Sequence, residues 1–188
     1  MKSQMTASEL LFAIQKQQLH HDENYHREIA RLPMPHRLQH MALHISKYFA
    51  RLVAGELDDQ ARLRLWTDAF IISVSTCNIL NRKLEDIWGV NSSSMSASEL
   101  AGWIDRAFSA DDLPSGRIRR FAECTEQMAN ACEKMDHIEE FSYRSAISAS
   151  VGGIAGEAAA EIQKCGDLFE VVTSRLDGVK SKSIFHGA

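Results

Sequence analysis

His36, His40, His44, Lys47 and Arg51 follow one another at steps of four, four, three and four, so on a helix they share one face. Such a row of donors and titratable rings either lines a site for an anionic ligand or is wet surface. One carboxylate stands near it in sequence. Asp68 lies at the edge of the apolar run Ala69-Phe70-Ile71-Ile72, and Ser75 and Asn78 follow it at steps of seven and three along one side. An unpaired charge beside a buried helix is costly, so Asp68 must pair, cap a neighbour or bind a ligand. Asp68 is therefore the first functional candidate, and Asn78 joins His40, His44, Lys47 and Arg51 as a ligand-binding candidate.

Two further clusters have the right residue types. Glu157 and Glu161, one helical turn apart, could hold a divalent metal together or pair with basic neighbours such as Lys164. His20, His21, Asp22, Glu23 and His26 place imidazoles and carboxylates at metal-ligand spacing, yet nothing adjacent completes a ligand set, and a solvated helix surface is the plainer reading. The His21-Asp22 dyad is the one candidate for a histidine and aspartate metal phosphohydrolase. Nucleophilic catalysis has little support, since no Ser or Cys stands on a Gly-flanked elbow, and no phosphate-cradling glycine loop is present.

The elements that must position these residues are helices. Strand patterning is absent, and the three prolines, at positions 33, 35 and 114, leave long stretches free for helix. Leu11, Ile14, Gln18, His21, Tyr25, Ile29 and Leu32 predict a first helix to about Leu32, capped by Thr6 or Ser8. A second is expected from His36 to Val53, and a third from Ala61 to Asn81 after the Asp58-Asp59 cap. The third is apolar nearly all round from Ala69 to Leu80, as a helix at the centre of a bundle is. A short helix over Lys83 to Trp88 precedes the flexible Asn91-Ser92-Ser93-Ser94 connection. Ser96 or Ser98 then caps a helix to Phe108, the loop from Asp111 to Gly116 follows, and another helix runs from Arg117 to about Asp136. The stripe from Ile147 to Leu176 predicts a last helix of about eight turns, ended by Gly178. Gly152, Gly153 and Gly156 each cost that helix about 1 kcal/mol relative to Ala, which predicts a close approach by another element.

Composition excludes several classes. At 45% hydrophobic and 24% charged residues, a chain of 188 residues is an ordinary globular protein. A spread net charge of −4 gives no footprint for nucleic acid. No run approaches a membrane span, and the amino terminus lacks signal-peptide patterning, so the cytoplasm is the expected location. Cys77, Cys124, Cys132 and Cys165 contain no CxxC pair and predict neither disulfide nor zinc site.

The segment from His36 to Trp88 resembles the MazG-like, all-α nucleoside triphosphate pyrophosphohydrolase superfamily. The likeness is one of layout: the helix Leu43-His44-Ile45-Ser46-Lys47-Tyr48-Phe49-Ala50-Arg51-Leu52, a turn, then Trp66-Thr67-Asp68-Ala69-Phe70-Ile71-Ile72, Asn78-Ile79-Leu80-Asn81 and Leu84-Glu85-Asp86-Ile87. In the family, a Glu-x-x-Glu pair and a Glu-x-x-Asp pair hold magnesium on the substrate phosphates. Here His44 and Lys47 stand at the first pair and Leu65 at the glutamate of the second, and Asp68 alone matches. The resemblance implies either of two functions. In one, Glu157 and Glu161 join Asp68 as magnesium ligands and a metal-activated water cleaves a nucleotide between its α and β phosphates. In the other, the metal is lost and the chain is a non-catalytic helical interaction or regulatory module.

The expected architecture is an all-α bundle of about six helices, packed as one domain or as two closely joined halves, residues 1–91 and 92–178, with a mobile tail over 179–188. A homodimer through apolar helix faces and a nucleotide or other small anion as ligand complete the expectation.

Overall fold

The computed structural model describes residues 5–108 and 114–183. They form an all-α bundle whose elements are α1 (Ala7–Tyr25), α2 (Arg27–Ala30), α3 (Met34–Val53), α4 (Asp59–Ile79), α5 (Leu84–Trp88), α6 (Ala97–Phe108), α7 (Pro114–Asp136), α8 (Tyr143–Gln163) and α9 (Leu168–Lys180), with one 3-10 turn over Ser92–Ser94. No strand occurs among the described residues.

Among the described residues there are nine helices where a bundle of about six is expected: the short helix near Trp88 makes a seventh, and two long periodic stretches are each broken. The first stops at Tyr25, where His26 leaves helical geometry and α2 makes a separate turn. The last divides after Gln163, and Asp167 restarts the chain by accepting from the amide of Glu170 at 3.0 Å, a new N-cap inside an unbroken apolar stripe. Gly178 lies within α9 and does not end it. Of the expected tail, Val179 and Lys180 complete α9, Ser183 Oγ donates to Tyr25 O at 3.0 Å, and residues 184–188 lie outside the described residues, as do residues 111–113 of the expected loop. α3 begins two residues earlier than expected, at Met34, because Pro35 in the first turn forfeits only an amide that a helix start leaves unbonded anyway.

The other helix starts are set by local chemistry. Thr6 and Glu9 form a reciprocal capping box on α1, Ser96 and Glu99 do the same on α6, and Asp58 accepts from the Ala61 amide at 2.6 Å on α4. The starts of α1 and α6 lie side by side, joined by the Ala7 amide donating to Met95 O.

α3, α4, α8 and α7 pack in a closed ring, each against the next, with the most extensive contact between α4 and α8. Both of these central helices are buried on most faces, from Leu65 to Cys77 in α4 and from Ile147 to Ile162 in α8. α1 and α9 cover α4 on one side, and α5 and α6 lie against α8. An apolar core runs from Ala7 to Leu176 through Phe70, Phe121 and Ile154. No helix is long and apolar enough to cross a membrane among the described residues.

Candidate functional site

The basic face of α3 is divided among different surroundings. The His40 and His44 rings lie 4.6 Å apart, with His44 Nδ1 at 3.1 Å from Tyr48 Oη and 3.2 Å from the Lys47 ammonium. These two histidines line a small, partly open cavity. Arg51, two turns further along, instead borders a surface depression with Asp68 and Arg175, and His36 is exposed. Asn78 belongs to neither. Its amide donates to Gln15 O at 2.9 Å and accepts from Gln15 Nε2 at 3.0 Å, while Gln15 Nε2 also reaches Arg82 O and Gln15 Oε1 accepts from the Leu84 amide. That reciprocal lock ties α1 to the end of α4. It uses Asn78 as structure and leaves it outside the set of His40, His44, Lys47 and Arg51.

The cavity has a volume of about 80 Å³, room for one small oxyanion or a few waters, and brings together Asp22, His26, Arg37, His40, His44 and Ser75. α1, α3 and α4 each supply a wall. Ser75 Oγ donates to Asp22 Oδ2 at 2.6 Å and Gln18 Nε2 to Asp22 Oδ1 at 2.8 Å. Burial pushes the Asp22 carboxyl up, and those two hydrogen bonds pull it back. Burial, then the neighbouring Lys47 and His40, push the His44 imidazole down to about 4, and His40 shifts down for the same first reason. His21, against His26 with ring centroids 5.3 Å apart, is buried and likewise pushed down to about 4. The guanidinium of Arg37 shares this cavity with the Asp22 carboxyl, whose ionised form it favours, and its Nε is buried without a hydrogen-bond partner. The reading of His21 and Asp22 as solvated surface is corrected here. Both turn inward, a placement already signalled by His21 standing on the stripe with Ile14 and Gln18.

The carboxylates are placed apart. Arg175 Nε and Nη2 donate to the two oxygens of Asp68 at 2.6 and 2.8 Å, a bidentate pair from α9. Glu157, 2% exposed, accepts from Arg120 of α7, whose Nη2 also donates to Phe108 O at 3.2 Å. Burial pushes Glu157 up, and Arg120 then Arg117 oppose it. Glu161 pairs with Arg117 at 2.9 Å and Lys164 at 2.7 Å. Asp68 thus turns toward α9 while Glu157 and Glu161 turn toward α7. Among the described residues no group of three or more His, Cys, Asp or Glu side chains is placed to hold a metal. Magnesium needs several oxygen ligands in near-octahedral array, and a carboxylate whose two oxygens already accept from one guanidinium does not supply them. As folded, the donor set of Asp68, Glu157 and Glu161 does not fit that ion.

Sequence reasoning had no access to Arg175 and Arg120, because each matters through a partner distant in the chain, 107 and 37 positions away, nor to Arg37, which matters through a cavity that exists only once the helices pack. Compared with family models, with curated proteins and with solved structures, the chain has no match in any of the three.

Proposed function

We propose that the chain is a non-catalytic helical binding module that takes a small anion into the cavity between α1, α3 and α4. The observation that supports this is the state of the three candidate carboxylates: Asp68, Glu157 and Glu161 are each engaged by an arginine, so the negative charge that metal chemistry would use is already neutralised. Arg37, with a buried and unbonded Nε, is the cationic group lining a cavity of oxyanion size, where the Asp22 carboxyl already accepts from Ser75 and Gln18. An anion there favours the protonated forms of His40 and His44, so protons are taken up on binding. Both rings titrate below their ordinary value of 6.5 and Asp22 above its own, so all three become more positive as pH falls, and affinity for sulfate, whose charge is constant over the range, rises from pH 7 toward 5.

The second reading, a divergent MazG-like pyrophosphohydrolase with magnesium, is favoured by one feature: α4 with Asp68 and α8 with Glu157 and Glu161 are the two helices packed most closely. Calorimetric titration of magnesium and manganese, with and without nucleoside triphosphates, together with an assay for released pyrophosphate, separates the two. The module reading expects no metal heat, no pyrophosphate, and sulfate binding that weakens about tenfold in Arg37→Ala and strengthens at lower pH. Metal-dependent pyrophosphate release that disappears in Asp68→Asn overturns it in favour of the enzyme.

A further inference from the structure

α3 carries two apolar rows, and the fold covers one of them. Leu38, Met41, Ile45, Tyr48 and Leu52 are buried against the ring, whereas Leu43 is 69% and Val53 54% exposed. A single exposed apolar side chain needs no explanation. These two belong to a series: Gln39, Leu43, Ser46, Ala50 and Val53 follow one another at steps of four, three, four and three, the seam by which one helix packs along another. The polar members of the seam cost little to cover. Ser46 Oγ already donates to Ala42 O at 2.9 Å, and Gln39 Nε2 donates to Asp136 of α7 at 2.6 Å. Ser46 and Ala50 are small enough to admit a close approach.

The two flanks of the seam have opposite charge. On the side turned to α4 stand the exposed Lys47 and Arg51; the Lys47 ammonium rests on His44 and the Tyr48 ring, and neither side chain has a carboxylate partner among the described residues. On the other side lies α7, antiparallel to α3, since Gln39 meets Asp136 while the Phe49 and Phe121 rings lie 5.8 Å apart. α8 takes the far flank of α7, through Arg120 and Cys124. That leaves Ala122, Glu126, Ala129 and Glu133, at steps of four, three and four, as the row beside the seam. Both glutamates are exposed, and Glu126 is in no ion pair among the described residues. Lys47 and Glu126 thus stand on opposite sides of the seam, both between the Gln39 and Phe49 contacts.

We propose that this face is the interface of a parallel homodimer, in which α3 packs along α3 of a second copy about a twofold axis running with the helix. Twofold symmetry offers two ways to lay the face on itself. An axis across the helices makes them antiparallel and sets basic flank on basic flank and acidic on acidic. An axis along them keeps them parallel and sets the basic flank of each copy on the acidic flank of the other, so Lys47 meets Glu126 of the partner subunit, twice. Like charges opposed across an interface cost affinity, which selects the parallel pair. α3, with 20 residues, is about 30 Å long and the α3 and α7 pair about 20 Å wide, a footprint of about 600 Å² per copy. That lies at the low end of specific interfaces, so the dissociation constant is expected in the micromolar range. The inference goes beyond the anion-binding reading and uses no residue that lines the cavity around Arg37.

The test is sedimentation equilibrium of the full chain over a concentration series, where a monomer and dimer equilibrium is expected. Leu43→Asp, at an exposed position, leaves the circular dichroism of the dilute protein unchanged and weakens association about tenfold or more. Lys47→Glu and Glu126→Lys each set like charges opposite one another at both symmetric contacts and weaken association about tenfold. Mixed in equal amounts, these two variants form a heterodimer in which both contacts have opposite sign again, and association returns to within about threefold of the unaltered chain. An antiparallel pair, whose like flanks already face each other, loses nothing in either charge variant. An unaltered chain that stays monomeric throughout the series overturns the inference. So does a dimer indifferent to Leu43→Asp, or one that Lys47→Glu and Glu126→Lys leave as tight as before, or a loss in those variants that mixing does not rescue.

Discussion

At the scale of single residues, the deciding fact is which charge meets which. Asp68 and Arg175 are 16% and 26% exposed, between a wet surface pair worth about 0–1 kcal/mol and a fully buried pair whose breaking costs about 3–5 kcal/mol. Arg175→Ala is therefore expected to destabilise the protein by about 2 kcal/mol, since it leaves a largely covered carboxylate without its bidentate partner. The double variant Asp68→Ala/Arg175→Ala should cost less than the sum of the two single changes, with a coupling of about 1 kcal/mol or more by urea denaturation. Strict additivity would mean the pair contributes nothing and would reopen Asp68 as a ligand. The sequence established that Asp68 needed a partner, from its place beside the apolar run. It carried no signal for which partner, because a salt bridge between α4 and α9 is a property of packing and not of spacing. The same holds for Glu157, whose helical neighbour Glu161 could be read directly while Arg120 on another helix could not.

At the scale of elements, α8 shows what its glycines do. A Cβ at Gly156 would fall within the Phe108 ring and one at Gly152 against the Ile87 side chain, while one at Gly153 would lie 2.8 Å from Cys124 Sγ. Close approach was readable from the sequence. That side chains of α5, α6 and α7 make it, in place of another backbone, was not. Phe108 cannot swing aside freely, since it packs against Trp88 and Trp103 at 5.9 and 5.8 Å between ring centroids. Trp88 in turn donates from Nε1 to Gly152 O at 2.8 Å. Gly156→Ala therefore gains about 1 kcal/mol of helix propensity and loses more through overpacking, for a net destabilisation of about 1–2 kcal/mol. Gly178 is the control. It lies in α9 without a positive φ, and a methyl group added there would meet nothing within 4 Å, so Gly178→Ala should stabilise by up to about 1 kcal/mol. Thermal melts of the two variants should move in opposite directions, and a shift of the same sign in both would refute the steric account. The helix breaks missed from periodicity have a related cause: the apolar stripe continues from α8 into α9, and only the Asp167 cap, a local hydrogen bond, reveals the restart.

At the scale of the whole molecule, the two halves suggested by the serine-rich connection after Gly89 are present as chain segments, yet the core is shared between them. α3 and α4 come from the first half and α7 and α8 from the second, and the ring closes only when both contribute. α1 from the beginning packs on α9 from the end, with Thr173 Oγ1 donating to Gln17 Oε1 at 3.1 Å. Fragment 1–91 alone would expose the α8-facing side of a helix that is buried from Leu65 to Cys77, and fragment 92–188 would expose Val151, Ile154, Ala155 and Ala158. Neither fragment has a second apolar surface with which to cover that loss, so each should show weak helicity and self-association when expressed separately. Mixed in equal amounts they should recover the circular dichroism of the intact protein, and the intact chain should unfold in urea through one transition seen identically by helicity and tryptophan fluorescence. Two transitions, or a first fragment that melts cooperatively by itself, would show that α3 and α4 form a stable pair without α8. The proposed anion site depends on the same point. The cavity around Arg37 is lined by helices of the first half alone. Fragment 1–91 could therefore bind an anion there only if it folded by itself, and anion binding by the isolated fragment would accompany a cooperative melt of its own.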